Sequence, residues 1–256
     1  MVLKHVSLLL LLLLAPAVRQ SAAAADVPLE ITAEDVMRRV RANLPQHPVR
    51  ITGRLRSGPL HSGFDNNFNV EINLDLGRKP ALAGYLLRDR FGALLEQMTV
   101  MLHAPGAVEW QYQDGAQAPP PLYEHIRRTD LTWSDLALSF LWWPARALTG
   151  FDSFRGRSCY VIDLAAPATV DAARPGETRR IWIDEKMFVL LQMEVRENDS
   201  LVRRLTVRSF QKINGQWMVK DMEMRSPEQA RRTILSVDDV LSMTPSPADP
   251  PDAEDL

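Results

Sequence analysis

Cysteine is almost missing from this chain: among 256 residues only Cys159 carries a thiol. A single thiol makes no internal disulfide, so stability has to come from a packed core. Cys159 also stands in the apolar run Cys159–Tyr160–Val161–Ile162, where a thiol behaves as a small hydrophobe rather than a nucleophile. Catalytic signatures are missing too. There is no G-x-S-x-G elbow, no H-E-x-x-H, no phosphate loop and no G-x-G-x-x-G, which removes the commonest hydrolase, zinc-protease and nucleotide-binding readings. His47, His61, His103 and His125 are scattered, without the i, i+4 spacing or cysteine partners of a metal site. No cofactor and no metal is expected. Charge of one sign is not in excess either. The net formal charge is −2, with Lys4 and Arg19 both near the N-terminus, and that balance does not suit nucleic acid.

Long apolar runs occur once. "VSLLLLLLLAPAV" follows Lys4 and His5 and precedes "SAAAAD". The run is too short and poorly flanked for a stable membrane span, and small residues follow it. Residues 1–25 therefore read as a signal peptide cleaved near Ala25, with Asp26 opening the mature chain. No cysteine stands at the end of the apolar run, where acylation would need it, so the exported protein is not expected to be itself a lipoprotein. A soluble periplasmic protein is the expectation, with residues 26–244 forming one domain. The Pro-rich acidic stretch "PSPADPPDAEDL" is expected to be disordered over 245–256.

Within the mature chain, "ITAEDVMRRVRANLP" carries a helix signature. Thr32 and Asp35 form a capping box and Pro45 ends the segment. Val36, Val40 and Leu44 recur on one face while Arg38, Arg39 and Arg41 stay wet. The period then changes to two. In "VRITGRLR" and "FNVEINLDL", apolar and polar residues alternate, as antiparallel strands with one wet face require. "LAGYLLRD", "LEQMTVMLHA" and "AVEWQYQD" continue the series. The C-terminal half reads as a meander of six further strands, from "SCYVIDLAA" to "RRTILSVDDV". Their short connectors "DEKM", "ENDS", "KING" and "SPEQA" suit hairpins. No internal repeat appears.

Between the two halves lies "LTWSDLALSFLWWP", with three of the six tryptophans. Thr132 and Asp135 form a second capping box, so a helix is expected from Trp133 to Pro144. It is apolar nearly all round, and such a helix needs cover on more than one side. Apolar surplus recurs in the strands. Met187, Val189, Leu191, Met193 and Val195 share one parity, and Met218, Met222 and Met224 form a second row broken by Lys220. Methionine-rich faces are soft, and serve either irregular cores or adaptable binding surfaces. Adjacent arginines such as Arg179–Arg180 and Arg203–Arg204 must point to opposite faces. They serve solubility, edge protection or a head group at a cavity mouth. Asp221 and Glu223 share a face, which reads as solvated; an enzyme would need them inside a cavity beside a histidine.

Residues 129–241 also resemble the LolA-like proteins, periplasmic domains often labelled outer-membrane lipoprotein-sorting proteins. The resemblance rests on the order of "GRSCYVIDL", "IWIDEKMFVLLQMEV", "SFQKINGQWMVKDMEMRS" and "RRTILSVDDV" after the tryptophan-rich segment. It implies a mainly β fold with a few helices: a curved antiparallel sheet forming an unclosed half barrel, its apolar concave face covered by α-helices. "TWSDLALSFLWW" would then be part of the cover. The implied role is a non-enzymatic carrier that shelters acyl chains in an apolar cavity during lipoprotein sorting. Its cargo would be a lipid or acylated lipoprotein, with an inner-membrane release complex and an outer-membrane acceptor as partners. The expected cavity residues are Leu136, Phe140, Trp142, Trp143, Leu191, Met193, Met222 and Met224. The alternative is a regulatory or scaffolding module of the cell envelope, its cavity filled by its own side chains, that binds a protein partner.

Overall fold

The computed structural model describes residues 31–104, 106–113, 122–166, 176–213 and 215–243. The signal peptide, most of the proline run after β5 and the acidic tail expected from the sequence lie outside these residues. Among the described residues, twelve antiparallel strands form one sheet. The first half comprises β1 (Val49–Pro59), β2 (Asn66–Asp75), β3 (Ala81–Arg88), β4 (Leu94–Leu102) and β5 (Val108–Gln113). The second comprises β6 (Ala145–Phe154), β7 (Arg157–Ala165), β8 (Glu177–Asp184), β9 (Leu190–Glu197), β10 (Ser200–Ile213), β11 (Gln216–Ser226) and β12 (Arg231–Ser242). Their spatial order is β5-β4-β3-β2-β1-β12-β11-β10-β9-β8-β7-β6. Each half is a meander, and the halves are joined where β12 pairs with β1. β5 and β6 are the two edges, so the sheet is open.

Alternation sets the faces as expected. β3 alternates strictly, burying Ala81, Ala83, Tyr85 and Leu87. Hairpin chemistry is equally local: Asn198 and Asp199 both take left-handed φ, 49° and 64°, the pair of values a two-residue turn matching the strand twist demands. Two strands depart from the simple parity read in the sequence. At β9, Trp182 pairs with Gln192 but Ile183 pairs with Leu190. Leu191 is the extra residue of a β-bulge, and a bulge moves its residue out of the row. At β11, Ser209 pairs with Asp221 while Phe210 pairs with Val219. Lys220 is thus the bulged residue, which explains why it interrupts the methionine row and stays exposed. The strand β6 has no counterpart in the sequence reading. It is an edge with mostly exposed side chains and a shifted register, so it carries no alternation to detect.

The first helix, α1 (Ala33–Ala42), has both halves of its capping box and buries Val36, Met37 and Val40. Arg41, expected in water, is instead half-buried and donates from Nη1 to Leu141 O at 3.0 Å. The second helix is shorter than the sequence suggests. After one turn, α2 (Trp133–Leu136), the chain takes a left-handed step at Leu138 (φ 49°) and continues as a 3-10 turn over Ser139–Trp142. Ser139 explains the break: its hydroxyl lies 2.6 Å from Ser134 Oγ and donates to Ser134 O at 3.3 Å. Serine hydroxyls that satisfy the backbone locally compete with helix continuation. The reversal lets tryptophans on both sides of the segment bury at once.

Candidate functional site

The inner face of the sheet bounds an apolar cavity of about 150 Å³. Its walls come from both halves of the sheet: Ile72 and Tyr85 from β2 and β3, Leu190, Leu205 and Val207 from β9 and β10, Met222 and Leu235 from β11 and β12. Strands so far apart in the sheet meet around one space only because the sheet curves. The roof is supplied by Val40 from α1, by Leu44 just beyond its C-cap, and by Leu136, Leu141 and Trp142 from the tryptophan-rich segment. None of the lining residues is charged. A water needs roughly 10–15 Å³ by this measure, so the cavity takes on the order of ten water-sized or methylene-sized groups. Tyr85 is fully enclosed, and burial pushes its hydroxyl well above the ordinary tyrosine range. It stays neutral and adds no charge.

The roof segment is fixed by buried charge. Asp135 is completely buried, closes the α2 capping box with Thr132, and pairs with Arg203 and, at 3.3 Å, with Arg179. Burial alone would raise the Asp135 carboxyl, but Arg203 and Arg179 together hold it below the ordinary carboxylate range. Arg179 is itself enclosed. Its guanidinium meets Glu177 at 2.9 Å and stacks 4.6 Å from the Trp143 ring and 5.0 Å from that of Phe140. Beside it, Arg203 donates to Asp130 O at 3.2 Å, and Thr233 on β12 donates to Asp130 Oδ2 at 2.8 Å. Three strands therefore grip residues 130–135 through hydrogen-bonded ions. The outward partners Arg180 and Arg204 pair on the opposite face with Asp163 and with the buried Glu194. Of each arginine pair, then, the inward member holds the roof to the sheet.

The eight residues expected at the cavity separate into three groups. Leu136, Trp142 and Met222 line it. Phe140, Trp143, Met193 and Met224 are buried in the continuous core around it, not in its wall. Leu191 is a correction: the β9 bulge turns it to the opposite face, where it packs with Cys159, Val161 and Trp182. Asp221 and Glu223 are not in the cavity either. Asp221 accepts from Ser209 Oγ at 2.5 Å, and Glu223 pairs with Arg225 at 3.1 Å. Much of the wall, such as Ile51, Val207 and Val237, went unselected because an aliphatic alternation marks any core face alike.

The cavity opens beside the C-terminal end of α1, where its lining residues Asn43 and Trp217 are exposed. Asn43, the C-cap of α1, donates from Nδ2 to Met187 O at 2.7 Å and accepts at its own carbonyl from Gln216 Nε2 at 3.0 Å. The helix end is thereby tied to the β8–β9 turn on one side and to the start of β11 on the other.

An open twelve-stranded sheet curved round a helix-roofed apolar cavity is the LolA-like fold. Solved structures that share it include three from bacteria. A putative outer membrane lipoprotein-sorting protein domain from Vibrio parahaemolyticus superposes with a TM-score of 0.67 at 13% identity, covering 83% of this chain and 92% of its own. A DUF1329 family protein from Desulfovibrio piger gives 0.66 at 13% identity with the same coverages. A LolA superfamily protein from Nitrosomonas europaea gives 0.60 at 11%, covering 84% and 95%. Residues 124–249 match a family model described as "-like: Uncharacterized protein". No curated protein matches the sequence.

Proposed function

We propose that this protein is a periplasmic carrier that shelters acyl chains in its cavity, serving lipoproteins or related lipids at the outer membrane. The observation that carries this reading is the cavity itself: enclosed by the curved sheet and two helical segments, free of charged lining, and open at one end. Acyl chains entering it leave water, and each buried methylene contributes about 0.8 kcal/mol. About ten such groups contribute roughly 8 kcal/mol before the costs of ordering the chain and the rim. No step of this role needs a reacting residue, and we assign none. The wall residues Leu136, Trp142 and Met222 are proposed to touch the chain; Phe140, Trp143, Met193 and Met224 support them from behind. A longer chain requires α1 to lift, because the sheet and the ion-gripped roof segment give way less easily. Residues 26–244 are proposed as the working domain, exported by a leader that ends at Ala25.

Native mass spectrometry of residues 26–256 purified from a periplasm without detergent tests this directly. The expected result is a co-purified species, released on unfolding, that proves to be a lipid or an acylated peptide. Protein found only at its own mass, and indifferent to added fatty acids and phospholipids in tryptophan fluorescence, overturns the reading. A stable complex with a second protein would then point to the scaffolding alternative.

A further inference from the structure

The cavity has nothing to hold a charge, but its mouth does. Two aromatic side chains of the lining, Phe188 and Trp217, stand on either side of Asn43 at the rim. Each carries a cation on its ring. The Arg39 guanidinium lies 4.9 Å from the Phe188 centroid, and Lys212 Nζ lies 5.8 Å from that of Trp217. Both are exposed, and neither forms an ion pair among the described residues. Arginines elsewhere on the sheet differ: Arg54 meets Asp238 at 2.7 Å, Arg180 meets Asp163 at 2.7 Å and Arg196 meets Glu194 at 2.8 Å. The carboxylates nearest the rim in sequence, Asp75 and Glu185, pair with neither cation. Two further cations, Arg78 and Lys79, follow the lining residue Leu76 across Gly77 and are exposed.

This arrangement answers a question of chemistry that the cavity leaves open. An amphiphile with its chain inside must place its head at the mouth. There it meets aromatic edges, which favour the boundary between apolar and wet surroundings, and two cations held over those rings with their charge unspent. Resting on the carrier reading, we propose that the cargo is an acyl amphiphile with an anionic head group, phosphate or carboxylate, bound between Arg39 and Lys212. Arg39 supplies a planar fork to the head oxygens and Lys212 a point charge. The rings hold both stems in place, so little conformational freedom is lost on binding.

The test is calorimetric titration of the mature chain with two probes of equal chain length, myristoyl lysophosphatidylglycerol and myristoyl lysophosphatidylcholine. Each cation near an anionic head is worth about fivefold in affinity. At low salt the anionic probe is expected to bind at least about fivefold tighter, and the margin should shrink as salt screens it. In Arg39→Gln/Lys212→Gln the preference should disappear while affinity for the zwitterionic probe stays within about twofold. Should the double variant lose its unfolding transition, Lys212→Gln alone carries the test with half the effect. Equal affinity of the wild type for both probes, or a preference that survives in the variant, overturns the head-group assignment. Inorganic phosphate bound as tightly as the anionic probe overturns it as well, since the rim would then be a free-anion site that gains nothing from the chain. Failure of both probes to bind removes the carrier reading itself, a different result from equal binding.

Discussion

Replacing Asp135 by asparagine removes one charge and almost no volume from the ion cluster under the roof. The amide oxygen of the asparagine can still accept the Thr132 backbone hydrogen bond, made now at 3.0 Å, so the loss isolates the charge. Arg179 keeps Glu177 at 2.9 Å. Arg203 does not fare so well: with only 6% of its surface exposed, its other partner among the described residues is the neutral carbonyl of Asp130. Breaking a buried pair in this way costs about 3–5 kcal/mol, and the remaining Glu177 places the expected loss at the lower end, about 3 kcal/mol. For a chain of this size that lowers Tm by roughly 6–12 °C. Urea unfolding followed by tryptophan fluorescence should show a lower midpoint at unchanged slope. The pH dependence gives an independent check. Asp135 has a folded pKa below the ordinary value, so its contribution is present above the unfolded carboxylate pKa of about 4 and fades as pH falls through the lower folded value. The variant should therefore match the wild type more closely in acid than at neutral pH. A loss under about 1 kcal/mol at neutral pH, or a gap that does not narrow in acid, would refute the view that these ions hold the roof.

The two capping boxes permit a paired comparison: Thr32→Ala at the exposed box should cost about 0.5–1 kcal/mol, and Thr132→Ala at the fully buried one about 2 kcal/mol, both read from urea midpoints. Val237→Phe, which grows a lining side chain into the cavity, should weaken fatty-acid uptake at least about tenfold while moving Tm by only a few degrees. A variant that binds as the wild type does would place the chain elsewhere. Asn43→Ala removes the tie to Met187 O, and amide exchange in α1 should quicken while the strands keep their protection.

Eleven of the twelve strands were legible because a strand with one wet face writes its alternation into the sequence, as β3 does from Ala81 to Leu87. β6 escaped because an edge strand with exposed side chains has no reason to alternate. The bulges at Leu191 and Lys220 were hidden for a related cause. A bulge is a property of the pairing between strands, and neither residue carries a mark of it. Thr132–Asp135 correctly announced the start of α2, but the end at Leu138 depended on Ser134 and Ser139 meeting each other, a contact that spacing alone does not reveal. The site was half visible. Tryptophan and methionine density pointed to residues that lie in or around the cavity, whereas division between wall and supporting core is set by curvature. The inward role of Arg179 and Arg203 was one of several open readings until Asp135 and Glu177 were seen beside them.

The pairing of β1 with β12 has a consequence for how the molecule comes into being. Val49 finds its neighbour in Ser242, and Pro59 in Arg231, so the central seam of the sheet joins the first strand to the last. During synthesis the first strand is available long before its partner, and one flank of β1 waits unpaired while nearly all the remaining strands appear. Contacts of such long range form slowly. The central seam cannot close until β12 is made, and until then the free flank of β1 is an unpaired edge of the kind that invites association with other chains.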